Sequence, residues 1–273
     1  MRGKHRFWEI LALGAAIGVS FNAFALTIET PLNSEVTTAG LGSGKVVVGL
    51  DYSKILDRQL DGSGSASGQA KSGRITSSNQ VHVKAVYSVN QYLNLYGKLG
   101  GSDWSDKLVL NNGSQIETDY EMALSWAVGA NGGRQFSKNW QLFYDIQFLM
   151  ARHADVSAVT DGGRNTGSTG GSVDVDEFQV ALGIGKEIHT YYEWASVIFP
   201  YVGVTYSTFN IDHRGLAWQR TGFTGSFEGE LDADYNFGVF TGIRIANQSN
   251  WLLRFEARFL NETAFTAGLD YRY

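Results

Sequence analysis

Through ten separate stretches of this chain every second residue is apolar. Val46, Val48, Leu50 and Tyr52 form the row of the first; Tyr120, Met122, Leu124, Trp126 and Val128 that of the fourth. Trp140, Leu142, Tyr144, Ile146, Phe148 and Met150 mark the fifth, and Leu231, Ala233, Tyr235, Phe237 and Val239 the eighth. A period of two is the signature of a β-strand with one apolar face. The ten strands predicted this way cover roughly 44–56, 77–90, 92–102, 119–131, 140–153, 174–187, 196–211, 228–246, 250–260 and 264–273. Each is long enough for the 9–11 residues that a membrane-crossing strand needs. The fold class that follows is all-β, an up-and-down antiparallel transmembrane barrel over residues 44–273. It has ten strands, or eight if two segments merge or fail.

Connection lengths orient the barrel. Short ones fall near Asn90-Gln91, Gly132 to Asn139, Glu187 to Ala195 and Ala246 to Asn250; long ones run about 57–76, 103–118, 154–173 and 212–227. Short turns face the periplasm and long loops face outward in such barrels. Trp140, Trp194, Trp251 and Tyr273 stand at strand ends, where an interfacial girdle needs aromatic rings. The chain closes on Thr266, Gly268, Tyr271 and Tyr273 in the order polar-x-Gly-x-x-aromatic-x-aromatic. This resembles the C-terminal signal of bacterial outer-membrane β-barrel proteins. The resemblance covers the whole chain beyond its N-terminal segment, and it implies Gly268, Tyr271 and Tyr273 as the assembly signal. Outer-membrane lipid, the barrel assembly machinery and periplasmic chaperones are the partners it implies.

The N-terminus adds an export signal. Arg2, Lys4 and Arg6 precede the apolar run Ile10 to Val19, and Ala23-Phe24-Ala25 supplies small residues at the positions a signal peptidase reads. The run is too short to span a bilayer as a helix. Residues 1–25 are therefore expected to be cleaved, with 26–43 a short periplasmic lead, and the outer membrane as destination. There is no cysteine, so disulfides do not staple the fold in that oxidising compartment. Only Pro31 and Pro200 occur, as suits a chain that is mostly ladder. The net charge of −5 argues against nucleic acid as a partner.

The alternate row carries the charges that would face a lumen: Lys84, Lys98, Glu121, Asp145, Glu177, Asp232, Asp234, Arg254, Arg258 and Arg272, with Lys45, Asp51, His82, Arg244, Glu256 and Asp270. Acids concentrate on the fourth to eighth strands and bases on the ninth, tenth and first three. The narrow interior of a ten-strand barrel would bring the two sets together as pairs and close the lumen. On this register Arg at outward Leu124 should cost more than Arg at inward Ser125.

Two clusters invite a catalytic reading, Asp103 with Asp106 after the third strand and Asp212 with His213 after the seventh. Their placement resembles the omptins, ten-strand outer-membrane proteases that hold an Asp pair and an Asp/His pair in those loops. The spacing departs from the family's Asp-x-Asp and Asp-x-His, and adjacent strand residues such as Asp212 and His213 point to opposite faces. No two histidines stand three to five residues apart, so neither a metal site nor a cofactor is expected. A structural or surface-interaction barrel, monomeric and with a closed polar lumen, is the leading expectation. A narrow ion or small-solute channel comes second, an omptin-like protease third.

Overall fold

The computed structural model describes residues 45–61, 70–111, 113–220 and 223–273. The proposed signal peptide, the lead 26–43 and the Gly/Ser run 62–69 lie outside them. The strands are β1 (Val46–Asp61), β2 (Ala70–Asn90), β3 (Leu93–Leu110), β4 (Gln115–Ser137), β5 (Trp140–Asp161), β6 (Arg164–Lys186), β7 (Ile188–His189), β8 (Val197–Arg220), β9 (Phe223–Ala233), β10 (Phe237–Ala246), β11 (Trp251–Phe259) and β12 (Thr263–Arg272), with one 3₁₀ turn at Glu193–Ala195.

Ten of these close a ring. β1 to β6 pair in succession, β6 pairs β8, β8 pairs β10, and β10, β11 and β12 lead back to β1, every pair antiparallel. Closure leaves no open edge in the hydrocarbon, which is why a barrel is the strand solution for a membrane. The outer face carries the apolar row: Leu50, Val83, Leu99, Leu124, Val128, Leu142, Leu182, Val202, Phe255 and Leu269 are all exposed. A soluble protein would hide so continuous a belt; lipid accommodates it. At its lower edge Trp251, Tyr271 and Tyr273 pack edge to face at 4.9 and 5.0 Å between centroids, and Lys186 lies 5.7 Å over the Trp140 ring.

The four segments expected as long loops are instead mostly strand. β4, β6 and β8 run 23, 23 and 24 residues, about twice the membrane requirement. At ~3.3 Å per residue and the usual barrel tilt, the extra dozen or so residues raise the rim roughly 30 Å above the membrane. A tight turn joins β5 to β6 through Gly162 and Gly163 at φ 58° and 77°, left-handed values that suit glycine and twist with the strands. Polarity hid these extensions from the sequence pattern, because their outward residues face water.

Where lipid gives way to water, the ladder shifts. Irregularities sit at Ile55/Asp57 in β1, Ile75/Ser77 in β2, opposite Ser102/Trp104 in β4 and at Ala151/Ala154 in β5. Each inserted residue exchanges the two faces of its strand above that level. The expected eighth strand is likewise broken at 234–236 into β9 and β10. Leu231 and Tyr120, placed outward by parity, are consequently buried inside. At this height the wall also loses strands: β11 and β12 end, and β9 meets β1 directly at Leu60–Ala233 and Asp61–Asp232. The projecting part is thus a narrower barrel of β1 to β6, β8 and β9.

Candidate functional site

The lumen is the natural place for a function, and buried side chains project into it. Its outer part is an apolar core: Trp104, Leu108, Ile116, Tyr120, Phe209, Trp218, Phe227 and Leu231, contributed by β3, β4, β8 and β9, form one buried cluster with Ile55, Leu60 and Ile75. Towards the periplasm Phe143, Phe199, Tyr201 and Phe240 form a second plug, ring centroids 5.8–6.3 Å apart. Glycines admit these rings. A Cβ on Gly242 would lie 2.4 Å from the Tyr201 ring and 2.6 Å from the Phe255 carbonyl oxygen, a close approach only a bare backbone allows.

Below the first cluster and beside the second lies a charged layer, with Arg244 across the ladder from Phe199 and Arg258 across from Phe240. Arg58, Lys84, Lys98, Arg244, Arg254 and Arg258 are buried there with Asp51, Asp145, Glu177, Glu256, Glu262 and Asp270. Lys84 Nζ sits 3.3 Å from Asp51 and 2.9 Å from Asp270; Lys98 Nζ is 3.4 Å and Arg254 Nη2 2.8 Å from Asp51. Arg58 Nη1 donates to Glu177 at 2.8 Å and to Glu262 at 3.4 Å, Nη2 donates to Ser207 at 2.9 Å, and the guanidinium lies 4.2 Å over Phe209. Arg258 Nε is 3.3 Å from Glu262. Tyr96 and Tyr201 donate their hydroxyls to Asp145 and Glu256 at 2.8 and 3.0 Å. Each charge has a partner close by, as burial demands.

Of the residues expected in the lumen, Lys84, Lys98, Asp145, Glu177, Arg254 and Arg258 are inside, and Arg272 is half-buried near the periplasmic end. Glu121, Asp232 and Asp234 are not; all three are exposed. The β4 insertion turns Glu121 outward, the face exchange at the β9–β10 break does the same to Asp232, and Asp234 lies in the break itself. Nor do bases on one wall simply meet acids on the other. Most pairs span one or two steps of the ring, with Lys84 of β2, Lys98 of β3 and Arg254 of β11 all reaching Asp51 of β1, and the long-range link is Arg58–Glu177. Arg58 and Glu262 escaped the sequence reading because they fell in a supposed loop and turn. The signal that could have found Arg58 is the inverted alternation of Arg58 and Leu60 after Ile55.

The two acidic clusters split by face. Asp103 points outward and accepts from the Asn79 backbone N–H and side-chain amide at 2.7 Å each. Asp212, also outward, accepts from Arg214 Nε at 2.8 Å. Asp106 and His213 point inward, Oδ2 and Nε2 2.6 Å apart with neither side chain exposed. Tyr120 donates to Asp106 at 3.4 Å, and Phe227 meets the imidazole edge-on at 5.3 Å. Burial, then the Asp106 carboxylate, raises the Tyr120 hydroxyl well above its usual value. The fold therefore joins one member of each cluster, with both side chains buried under apolar cover. His82 accepts or donates a 2.8 Å bond with Ser125, which also receives one from Ser102 at 2.7 Å. Among the described residues no group of three or more His, Cys, Asp or Glu side chains is arranged to hold a metal.

No family model and no curated protein matches this chain. Solved structures similar to it are membrane barrels. The translocator domain of the autotransporter NalP from Neisseria meningitidis matches at 13% identity and TM-score 0.43, over 86% of this chain and 90% of that one. The β domain of the Bordetella autotransporter BrkA matches at 12% and 0.46, over 85% and 100%. The outer membrane protein OprG from Pseudomonas aeruginosa matches at 8% and 0.42, over 85% and 97%. On its own geometry, a closed antiparallel ring of ten strands, an unbroken apolar belt and aromatic rings at the belt's edge, the chain has the fold of a transmembrane antiparallel β-barrel.

Proposed function

We propose that this barrel works from its outer surface, as a structural or surface-interaction protein of the outer membrane with a sealed lumen. The observation that carries the reading is the packed interior: an apolar outer cluster, an aromatic cluster towards the periplasm and, beside it, a layer of paired buried charges. A pore needs a continuous wet path, and charges lining one are hydrated rather than locked in short pairs. The projecting strands are the part left to meet the surroundings. Their outward residues are strongly acidic, with Glu117, Asp119, Glu121, Asp155, Glu228, Glu230 and Asp232 exposed. Asp212 stands opposite Glu230, and Asp61 opposite Asp232. Like charges directly across a ladder cost stability, so a partner carrying positive charge is the one this wall suits. Purified protein in a planar bilayer should show no steady conductance. A stable, ion-selective current from the unmodified protein would overturn the reading and favour a channel.

A further inference from the structure

Cations on the outer face of the barrel are treated differently at its two ends. On the projecting strands Arg74 pairs with Asp57 and Arg152 with Asp176, while Lys107 Nζ stands 2.8 Å from Glu117 and Arg214 Nη2 3.0 Å from Asp174. At the short-turn end three cations share one side of the wall: Arg134 on β4, Lys138 in the turn to β5 and Lys186 at the end of β6. All three are exposed, and among the described residues no acid pairs with any of them. The acids nearest in the chain lie elsewhere. Glu187 is buried, and Glu193 belongs to the 3₁₀ turn, where its carbonyl accepts from Gln248 N at 3.4 Å beside β10.

Register sets where these cations stand. The turn Lys138-Asn139, with Asn139 at φ 69°, brings Ser137 opposite Trp140 and Arg134 opposite Leu142. Trp140 in turn faces Lys186 across the β5–β6 ladder. Residues directly opposite share a face of the sheet, and Trp140 and Leu142 are on the lipid face, both exposed. Arg134 and Lys186 therefore project from that face too. Their strands are two inter-strand spacings apart, about 10 Å, a gap that two long basic arms closing on one phosphate span. Lys186 Nζ lies 5.7 Å over the Trp140 ring, which holds one ammonium at the level of the aromatic girdle. Arg134 stands a step deeper, level with Leu142 of the belt, where a guanidinium must reach down to the head groups or remain in hydrocarbon.

We infer that this side of the short-turn rim binds the phosphate head group of an anionic phospholipid in the adjoining leaflet. Arg134, Lys138 and Lys186 hold the phosphate, and the acyl chains lie along Phe136, Leu142 and Leu182, exposed apolar residues of the same region. Three cations without an acid among them favour a net negative head over a zwitterionic one, whose ammonium they would repel. The apolar residues beside them select a lipid over a free anion. The site faces the bilayer, so it stands whether or not the barrel conducts.

The test uses the whole barrel in detergent micelles, titrated with one lipid at a time while native mass spectrometry counts the lipids bound. Dioleoylphosphatidylglycerol should occupy its first site at least about fivefold more tightly than dioleoylphosphatidylcholine. Arg134→Gln, Lys138→Gln and Lys186→Gln should each weaken phosphatidylglycerol about fivefold, the attraction one basic residue supplies near a membrane surface. The triple variant should show no preference between the two lipids. Arg134→Lys keeps the charge and should keep the preference, and Lys107→Gln on the projecting wall should leave it unchanged. All these positions are exposed, and heat-modifiable migration checks that each variant is folded. Inorganic phosphate in excess should not displace the lipid. Equal affinity for the two lipids, or a preference that survives the triple variant, would overturn the inference. So would a preference lost in Lys107→Gln, which would mean attraction to charge in general, or displacement by inorganic phosphate, which would mean a free-anion site.

Discussion

Replacing Arg58 by Met gives the sharpest test of the charged layer. The side chain is fully buried, so Met fills most of its volume while removing both the charge and five donors. Glu177 then loses its 2.8 Å partner, and its Oε2 is already without a hydrogen bond. Glu262 retains Arg258 at 3.3 Å, so one carboxylate is orphaned rather than two. Removing one member of a buried pair costs about 3–5 kcal/mol, chiefly because the other charge stays unmatched. Adding Glu177→Gln removes that stranded charge. The double variant should therefore recover about 1–3 kcal/mol, within the range found for directly coupled residues. Reversible urea unfolding in lipid vesicles, read by tryptophan fluorescence, measures both. A cost under about 1 kcal/mol for Arg58→Met, or a double variant no better than the single, would refute the view that pairing holds the layer together.

Four further outcomes are expected. Gly242→Ala forces a Cβ against the Tyr201 ring and the Phe255 carbonyl and should cost about 1–3 kcal/mol, whereas Gly97→Ala, whose Cβ would meet nothing closer than 3.9 Å, should stay within about 0.5 kcal/mol. Leu124→Arg on the lipid face should cost about 2–4 kcal/mol; Ser125→Arg should cost at least as much, because Ser125 is fully buried under His82 and Ser102, and a milder effect there would mean the lumen is roomier than described. Tyr120 keeps its proton in the fold while an unfolded tyrosine loses it near pH ~10, so the folded state binds more protons there and stability should fall as pH rises past that value; Tyr120→Phe should flatten the slope, and an unchanged urea midpoint series in the variant would count against it. Deleting Tyr273, which meets Tyr271 edge to face and whose N–H donates to the Val46 carbonyl at 3.1 Å, should lower the amount of heat-modifiable barrel in outer-membrane fractions, and normal amounts would remove it from the assembly signal.

The alternation of Val83, Leu99, Leu124, Leu142 and Phe255 determined the ten crossings and their outward faces by itself. Lipid imposes one requirement on every strand it touches, and a period of two records it locally. That record ends where the lipid ends. Above Ile55, Ile75, Ala123 and Ala151 a single inserted residue exchanges the faces, so parity carried upward placed Tyr120 outside and Glu121 and Asp232 inside. An insertion is defined only by the neighbouring strand it is out of step with, and a single chain segment holds no trace of that neighbour. The same reason governs the partners. Lys84 and Asp145 read as lumen residues from their own strands, but joining Arg58 to Glu177 or Asp106 to His213 required the ring to close. The packing of the lumen is a property of that closure: it depends on which side chains from distant strands share one cross-section, and only the tertiary structure sets that.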